Sequence, residues 1–488
     1  MFRPSDPQQT LFDAGGLLPA EKRERVEKTW AGAFRRHALP ILRSVEPEFA
    51  DLFDPEEGRP NRPVDLVLGV LILKEFSDLT DAQALDALEY DLRWGYAFQR
   101  EPRELHLSQK TLHNFRTKLI AREKSKVAFR RVTDQLIEAL GVKVGQQRLD
   151  STHVVSDVAI LTRLGLFCET IRLFLRELHR TAAEKHAALP GGLLARHAEN
   201  SKYGDAQKPD RTRRLQVAAR DLGRLVERFK NDDRVTGLEG WKLVWRLFQD
   251  HCRVTEKPQE PNQDDDDHGE GAVATEATPP QAIRSDSLQT PHDPDTTYSG
   301  HKGKGYEGQV LETCGAEEDV RLITEVEVTP SCQDDTKALM PMVKQALEAG
   351  HGPQEVVADT RYSSAANAAA LSTVGVNLLA PVPGPAKGDL ERRDFPEPAA
   401  RCPEECKEAL EWQKQQEASP SFRKRYAIRA GIEATNSELK RVHGLGKLRV
   451  RGLSRVKLAV YFKALACNLK RALRAWLSRE AEGSLTPA

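Results

Sequence analysis

Three carboxylates stand out for their surroundings: Asp150, Asp359 and Glu433. Asp150 lies in the run Gly145-Gln-Gln-Arg-Leu-Asp-Ser-Thr-His-Val-Val155, whose β-branched end reads as a strand. Asp359 closes Gln354-Glu-Val-Val-Ala-Asp359, a second short strand followed by a helical run from Ala365. Glu433 belongs to the series Tyr426, Arg429, Glu433, Lys440, with spacings of three, four and seven residues. On one helix those spacings gather all four side chains within about 60° of one face. A core-facing helix would carry Leu, Ile or Val there. Carboxylates delivered by two strand ends and a helix suit phosphoryl transfer at a nucleic-acid phosphodiester, in which two Mg²⁺ ions roughly 3.5–4 Å apart serve the attacking and leaving oxygens. Mg²⁺ takes oxygen ligands in preference to nitrogen or sulfur, and Mn²⁺ is the natural substitute. With 73 acidic residues in the chain, spacing alone leaves an accidental alignment open.

A family resemblance rests on further motifs. They are Asp150-Ser-Thr-His153, Pro291-His-Asp-Pro-Asp295, Gly300-His-Lys-Gly-Lys-Gly-Tyr-Glu-Gly308 and Val357-Ala-Asp-Thr-Arg-Tyr-Ser363. The most specific is the Tyr-x-x-Arg-x-x-x-Glu-x-x-x-x-x-x-Lys series from 426 to 440, set among Gly431-Ile-Glu-Ala434 and Gly444-Leu-Gly446. Over about residues 60–475 the chain resembles a DDE transposase of a bacterial insertion sequence, from the group with a ribonuclease H-like catalytic domain and a tyrosine-arginine-glutamate-lysine signature. The resemblance implies that Asp150, Asp359 and Glu433 ligate the metals, that Arg429 and Lys440 contact phosphates near the scissile bond, and that Tyr426 positions the DNA. These roles agree with the chemistry of a guanidinium fork and a flexible ammonium. Tyr426 either stacks on a displaced base or packs against the sheet with its hydroxyl satisfied. At Thr360-Arg361 the chain departs from relatives, which more often place a small residue before the tyrosine.

His153, three residues beyond Asp150 on a strand, points to the opposite face, which favours a structural hydrogen bond over metal ligation. In the glycine-rich run, Lys302 and Lys304 either face a polyanion or belong to a solvated hairpin. Formal net charge is zero, but residues 421–488 hold 16 Lys or Arg against 4 Asp or Glu, a balance of +12, while residues 256–295 hold 11 acidic against 2 basic residues. The acidic tract hides a basic footprint suited to double-stranded DNA, whose binding weakens steeply with salt.

The seven cysteines form no dense framework, which points to reduced thiols and a cytoplasmic protein, associated with the nucleoid when acting. Cys402 and Cys406 have metal-like spacing without a second pair nearby, so no structural zinc is expected. An apolar signal core and any run of 18 apolar residues are lacking, so neither secretion nor a membrane partner is expected.

The expected architecture is α/β: a ribonuclease H-like mixed sheet flanked by helices, with an N-terminal helical domain and a helical insertion after the first core strand. Residues 1–135 form the helical module, with a helix over 19–36, a buried helix over 63–76, a Thr80/Gln83 capping box and a third helix capped by Ser108. That third helix carries Arg116 and Lys118 toward DNA ends, unless the module only braces the core or mediates dimerisation. The core begins over 140–163, is interrupted by helices over 164–256 and an acidic disordered linker over 257–290, and resumes over 291–383. The helical insertion clamps DNA or a partner subunit, or is a plain spacer. A charged insertion over 384–422 precedes the signature helix and basic C-terminal helices over 423–480.

The expected reaction is metal-dependent cleavage at terminal inverted repeats and strand transfer into target DNA, by a homodimer because two ends are cut together. Two alternatives stay open: a nuclease of the same fold without strand transfer, and an inactive transposase-derived DNA-binding protein.

Overall fold

Strand β1 (Gln146–Val154) forms where the chain leaves the Gly141 cap of helix Ser125–Leu140 and enters a β-prone run. Successive side chains of β1 serve opposite faces. Leu149 joins an apolar cluster with Met342, Val343, Val356 and Leu371, and Val154 joins a different one with Val310, Leu439 and Leu465. The computed structural model describes residues 1–5, 15–158, 161–205, 208–255, 274–315, 320–382 and 404–483.

After β1 come the hairpin strands β2 (Cys252–Thr255) and β3 (Ala274–Ala277), then β4 (Thr297–Ser299), β5 (Gly303–Thr313), β6 (Ile323–Pro330), β7 (Glu355–Val357) and β8 (Asn377–Leu379). The main sheet runs β4-β5-β1-β7-β8, with β6 also paired to β5. β5 is antiparallel to both β1 and β6, whereas β7 and β8 continue the sheet in parallel. In register, Asp150 faces Val310 of β5 and Arg148 faces Val357 of β7. Helices Leu339–Glu348 and Ala365–Ser372 supply the crossovers that parallel strands require.

The N-terminal helices share a core with the sheet. Val64–Phe76, buried nearly throughout, and Ser125–Leu140 both pack on the long C-terminal helix Leu453–Ala481, which lies against β6. Asn468 of that helix donates to the Ile323 carbonyl and accepts from the Ile323 amide, both at 2.8 Å. The helices after β1 (Arg163–Thr181, Lys208–Phe229, Glu239–His251) close around a separate core built on Phe167, Phe174, Leu222 and Trp241.

Several local expectations need revision. The first helix breaks into Ala20–Glu27 and Trp30–Ala33, because Thr29 adopts extended geometry and caps the second piece. Much of the acidic tract, 256–273, lies outside the described residues, but its end is ordered: β3 pairs with β2, and the Ala277 amide bonds Gln216 Oε1. Residues 383–403, including Cys402, also lie outside the described residues, and a helix runs over Glu404–Ala418. No described helix is long and apolar enough to cross a membrane.

Candidate active site

Asp150 sits mid-strand in β1, Asp359 two residues past the end of β7, and Glu433 in the first turn of helix Gly431–Arg441. Asp359 caps the short 3₁₀ turn Thr360–Tyr362, its Oδ1 accepting from the Arg361 amide at 2.9 Å. Sequence separations of 209 and 74 residues vanish at Arg429. Its guanidinium lies 3.5 Å from Asp150 Oδ1, 3.8 Å from Asp359 Oδ2 and 3.9 Å from Glu433 Oε1. These contacts are longer than the roughly 2.7–2.9 Å of a closed charge-assisted bond, and the buried Nε of Arg429 has no partner.

Burial raises the Asp150 carboxyl above the usual range, against the pull of Arg429 and the Ser151 amide, and the neighbouring Asp359 charge adds to the rise. Asn436, three residues beyond Glu433, donates to Asp150 Oδ2 at 3.1 Å and orients it. Glu433 remains largely exposed at 73 %. An anionic, all-oxygen donor set, partly open to solvent and loosely neutralised by one guanidinium, fits a hard divalent cation.

The signature series does not ride on one continuous α-helix. Tyr426 ends the helix Phe422–Tyr426, Arg429 lies in a 3₁₀ turn (Ala427–Ala430), and only Glu433 and Lys440 share Gly431–Arg441. The 3₁₀ turn brings Arg429 over the strands. Tyr426 stacks on Phe422 with centroids 5.4 Å apart and packs against the cluster that holds Val357 and Leu379 of the sheet, and burial raises its hydroxyl pKa. Lys440 is exposed, about 10.5 Å further along the helix axis than Glu433.

The other basic candidates are more engaged than their sequence context suggests. Lys302 reaches Ser151 Oγ at 2.9 Å, Glu307 at 2.8 Å and Asp335 at 3.3 Å, and these carboxylates outweigh burial to raise its pKa. Lys304 turns inward to the carbonyls of Leu161 and Gln289, with burial lowering its pKa. Arg116 pairs with Asp81 at 2.5 Å, and the Lys118 ammonium lies 4.5 Å from the Phe53 ring centroid. His153 bonds Glu307 at 3.2 Å on the face away from Asp150.

A set of buried residues absent from the sequence reading anchors the signature helix. Glu312 of β5 is paired with Arg148 at 2.5 Å and with Arg471 at 3.1 Å, and Thr435 donates to both its oxygens at 2.9 and 2.7 Å. Arg148 also donates to the Ile428 carbonyl at 2.6 Å, and Arg471 reaches back to Glu438 at 2.9 Å. Gly431 is required at this crossing, since a Cβ there would lie 2.0 Å from Arg148 Nη1. The available signal was Arg148 itself, two residues before Asp150 and therefore on the same face of β1.

Two family models match the chain: "Transposase DDE domain" over residues 399–473 and "Transposase domain (DUF772)" over residues 31–118. The first span contains Tyr426, Arg429, Glu433 and Lys440 but neither aspartate, and the second contains Arg116 and Lys118. Comparison with curated proteins and with solved structures gave no match. The two matched spans, at opposite ends of the chain, support a DDE transposase, a family that implies DNA binding, a divalent metal and phosphodiester chemistry.

Proposed function

We propose that this protein cuts DNA at the terminal inverted repeats of a mobile element and joins the freed end to target DNA, with Asp150, Asp359 and Glu433 as metal ligands. The observation that carries the reading is the convergence of these three carboxylates, from three distant segments, on Arg429. The order β6-β5-β1-β7-β8, with three antiparallel strands followed by two parallel ones, supports a ribonuclease H-like core. Divalent ions, two Mg²⁺ on this reading, would activate the attacking oxygen and neutralise charge on the leaving one.

The chain's own residues do the rest. Arg429 exchanges its loose carboxylate contacts for the non-bridging oxygens of the scissile phosphate, which a fork of donors fits better than a point charge does. Lys440, exposed and on the same helix face as Glu433, holds a neighbouring phosphate. In the first step water adds to phosphorus as the bond to the 3′ oxygen breaks, releasing a 3′ hydroxyl. In the second, that hydroxyl loses its proton and displaces a target 3′ oxygen in line. Pairing of two ends calls for a homodimer. Arg116, Arg449, Arg451 and Arg455 line one cleft between the N-terminal helices and the C-terminal segment; the first three are paired with Asp81, Asp78 and Asp157, and would offer the DNA backbone a second basic surface by exchanging those partners for phosphates.

The test is to incubate the protein and a Glu433→Gln variant with duplexes carrying the flanking repeats, in Mg²⁺ and in EDTA, and to map nicks and joints at nucleotide resolution. Cleavage at the repeat boundary followed by joining, lost in the variant and in EDTA, is expected. Cleavage without joining would instead assign a nuclease, and binding without cleavage an inactive DNA-binding derivative.

A further inference from the structure

Behind the signature helix, on the side away from Glu433, lies a second group of potential ligands. Glu438, His443 and Cys467 each present a donor atom, and all three atoms lie within 4.8 Å of one another. His443 and Cys467 are fully buried, and Glu438 keeps 20 % of its side chain exposed. Five residues along a helix rotate Glu438 by about 140° from Glu433, so this cluster is separate from the carboxylates around Arg429.

The histidine is the informative member. Its Nδ1 is bonded to the Glu75 carbonyl at 3.0 Å, which fixes the ring and places the proton on Nδ1. Its Nε2 is buried with no hydrogen-bond partner, which leaves it the ring nitrogen free to ligate beside the thiol and the carboxylate. A buried polar nitrogen without a partner is costly, and a backbone carbonyl on the far ring nitrogen is the usual support of a metal-ligating histidine. The Cys467 thiol is within hydrogen-bonding reach of Glu438. Glu438 directs Oε2 to Arg471, leaving its other oxygen available.

We infer that Glu438, His443 and Cys467 bind a single borderline-soft divalent ion, of which Zn²⁺ is the fitting member. Sulfur, imidazole nitrogen and one carboxylate oxygen match zinc and disfavour Mg²⁺. Donors around a tetrahedral zinc lie roughly 3.5 Å apart at bonds of about 2.0–2.3 Å, so the cluster closes by about an ångström on binding. Thiolate and carboxylate balance the ion; of the cations around it, Arg471 shares Glu312 with Arg148, and Lys463 pairs with Glu75 at 2.6 Å. The ion would tie the end of the signature helix to the loop holding His443 and to the C-terminal helix holding Cys467. It is structural, it stands apart from the cysteine pair at 402 and 406, and it does not depend on the transposase reading.

The experiment uses the full chain, produced with zinc and purified without chelator. Elemental analysis should find about one zinc per chain, retained in Asp150→Asn and lost in Cys467→Ser and His443→Gln. Exchange with Co²⁺ should give a thiolate-to-metal charge-transfer band, absent in Cys467→Ser. Should both variants fail to fold, Glu438→Gln serves, keeping the thiolate band with weakened cobalt affinity. A folded native chain without zinc and without the cobalt–thiolate band would overturn the proposal.

Discussion

The two sides of the signature helix hold their charges in opposite ways. Toward the sheet, buried Arg148, Glu312 and Thr435 and partly buried Arg471 are joined by contacts of 2.5–3.1 Å. Toward the cleft, Arg429 touches three carboxylates at 3.5–3.9 Å, one of them on an exposed side chain. The first arrangement is a closed network that fixes where the helix sits. The second is open, with cation and anions near enough to balance and too far apart to be committed. On the proposed reading, Thr435 on one face of the helix serves placement and Glu433 on another serves the chemistry.

The sharpest way to break this comparison is to remove a ligand. Asp359→Asn should lower cleavage by about 10³-fold, roughly 4 kcal/mol of barrier, while urea denaturation shows unchanged stability. A large loss of stability instead would mean that the open face is also structural. Glu312→Ala should do the reverse, stranding Arg148 and Arg471 and costing roughly 3 kcal/mol in the same denaturation experiment. Arg429→Gln should reduce cleavage about 10²-fold and, with the competing guanidinium gone, tighten Mn²⁺ binding to the DNA-free protein in a calorimetric titration. Weaker binding would show that Arg429 organises the carboxylates. Gly431→Ala pushes a methyl into Arg148 and should cost about 1–2 kcal/mol, with a smaller effect on cleavage than Asp359→Asn.

The smallest effect concerns pH. The Asp150 carboxyl is raised in the folded chain, so its protonated form favours folding. That contribution is complete below the unfolded value of about 3.9 and is lost as pH rises through the folded value. Asp150→Asn should therefore raise Tm slightly at pH 7 relative to the native chain, and the gain should disappear in acid. A gain that persists at pH 3 would assign the effect to packing.

Strand and helix positions were legible where periodicity and caps were strong. β1, the Thr80/Gln83 capping box, the Ser108 cap and the helix over Val64–Phe76 all appear within a residue or two of expectation. The three carboxylates were singled out by strand context and spacing and given their roles by the family resemblance; Asp150 lies mid-strand and not at a strand end, and the structure brings all three to one guanidinium. The 3₁₀ turn under Arg429 was invisible, because a spacing of three residues is compatible with α and 3₁₀ geometry alike. Lys302 and Lys304 read as surface charges because Asp335 and the Gln289 carbonyl meet them only through tertiary folding, and Glu307, five residues beyond Lys302, meets it only once the run turns into β5. The Glu312 network stayed hidden for the same reason, its members lying on two strands and two helices.

Asn468 offers its amide to Ile323 as a neighbouring strand would offer its backbone, supplying one acceptor and one donor at 2.8 Å each. The outer margin of β6 is thereby occupied by a side chain from a helix that cannot itself extend the sheet. A free margin invites pairing with another chain. The C-terminal helix thus works as a stopper at the Ile323 end of β6, filling with a side chain the place that a further strand would take.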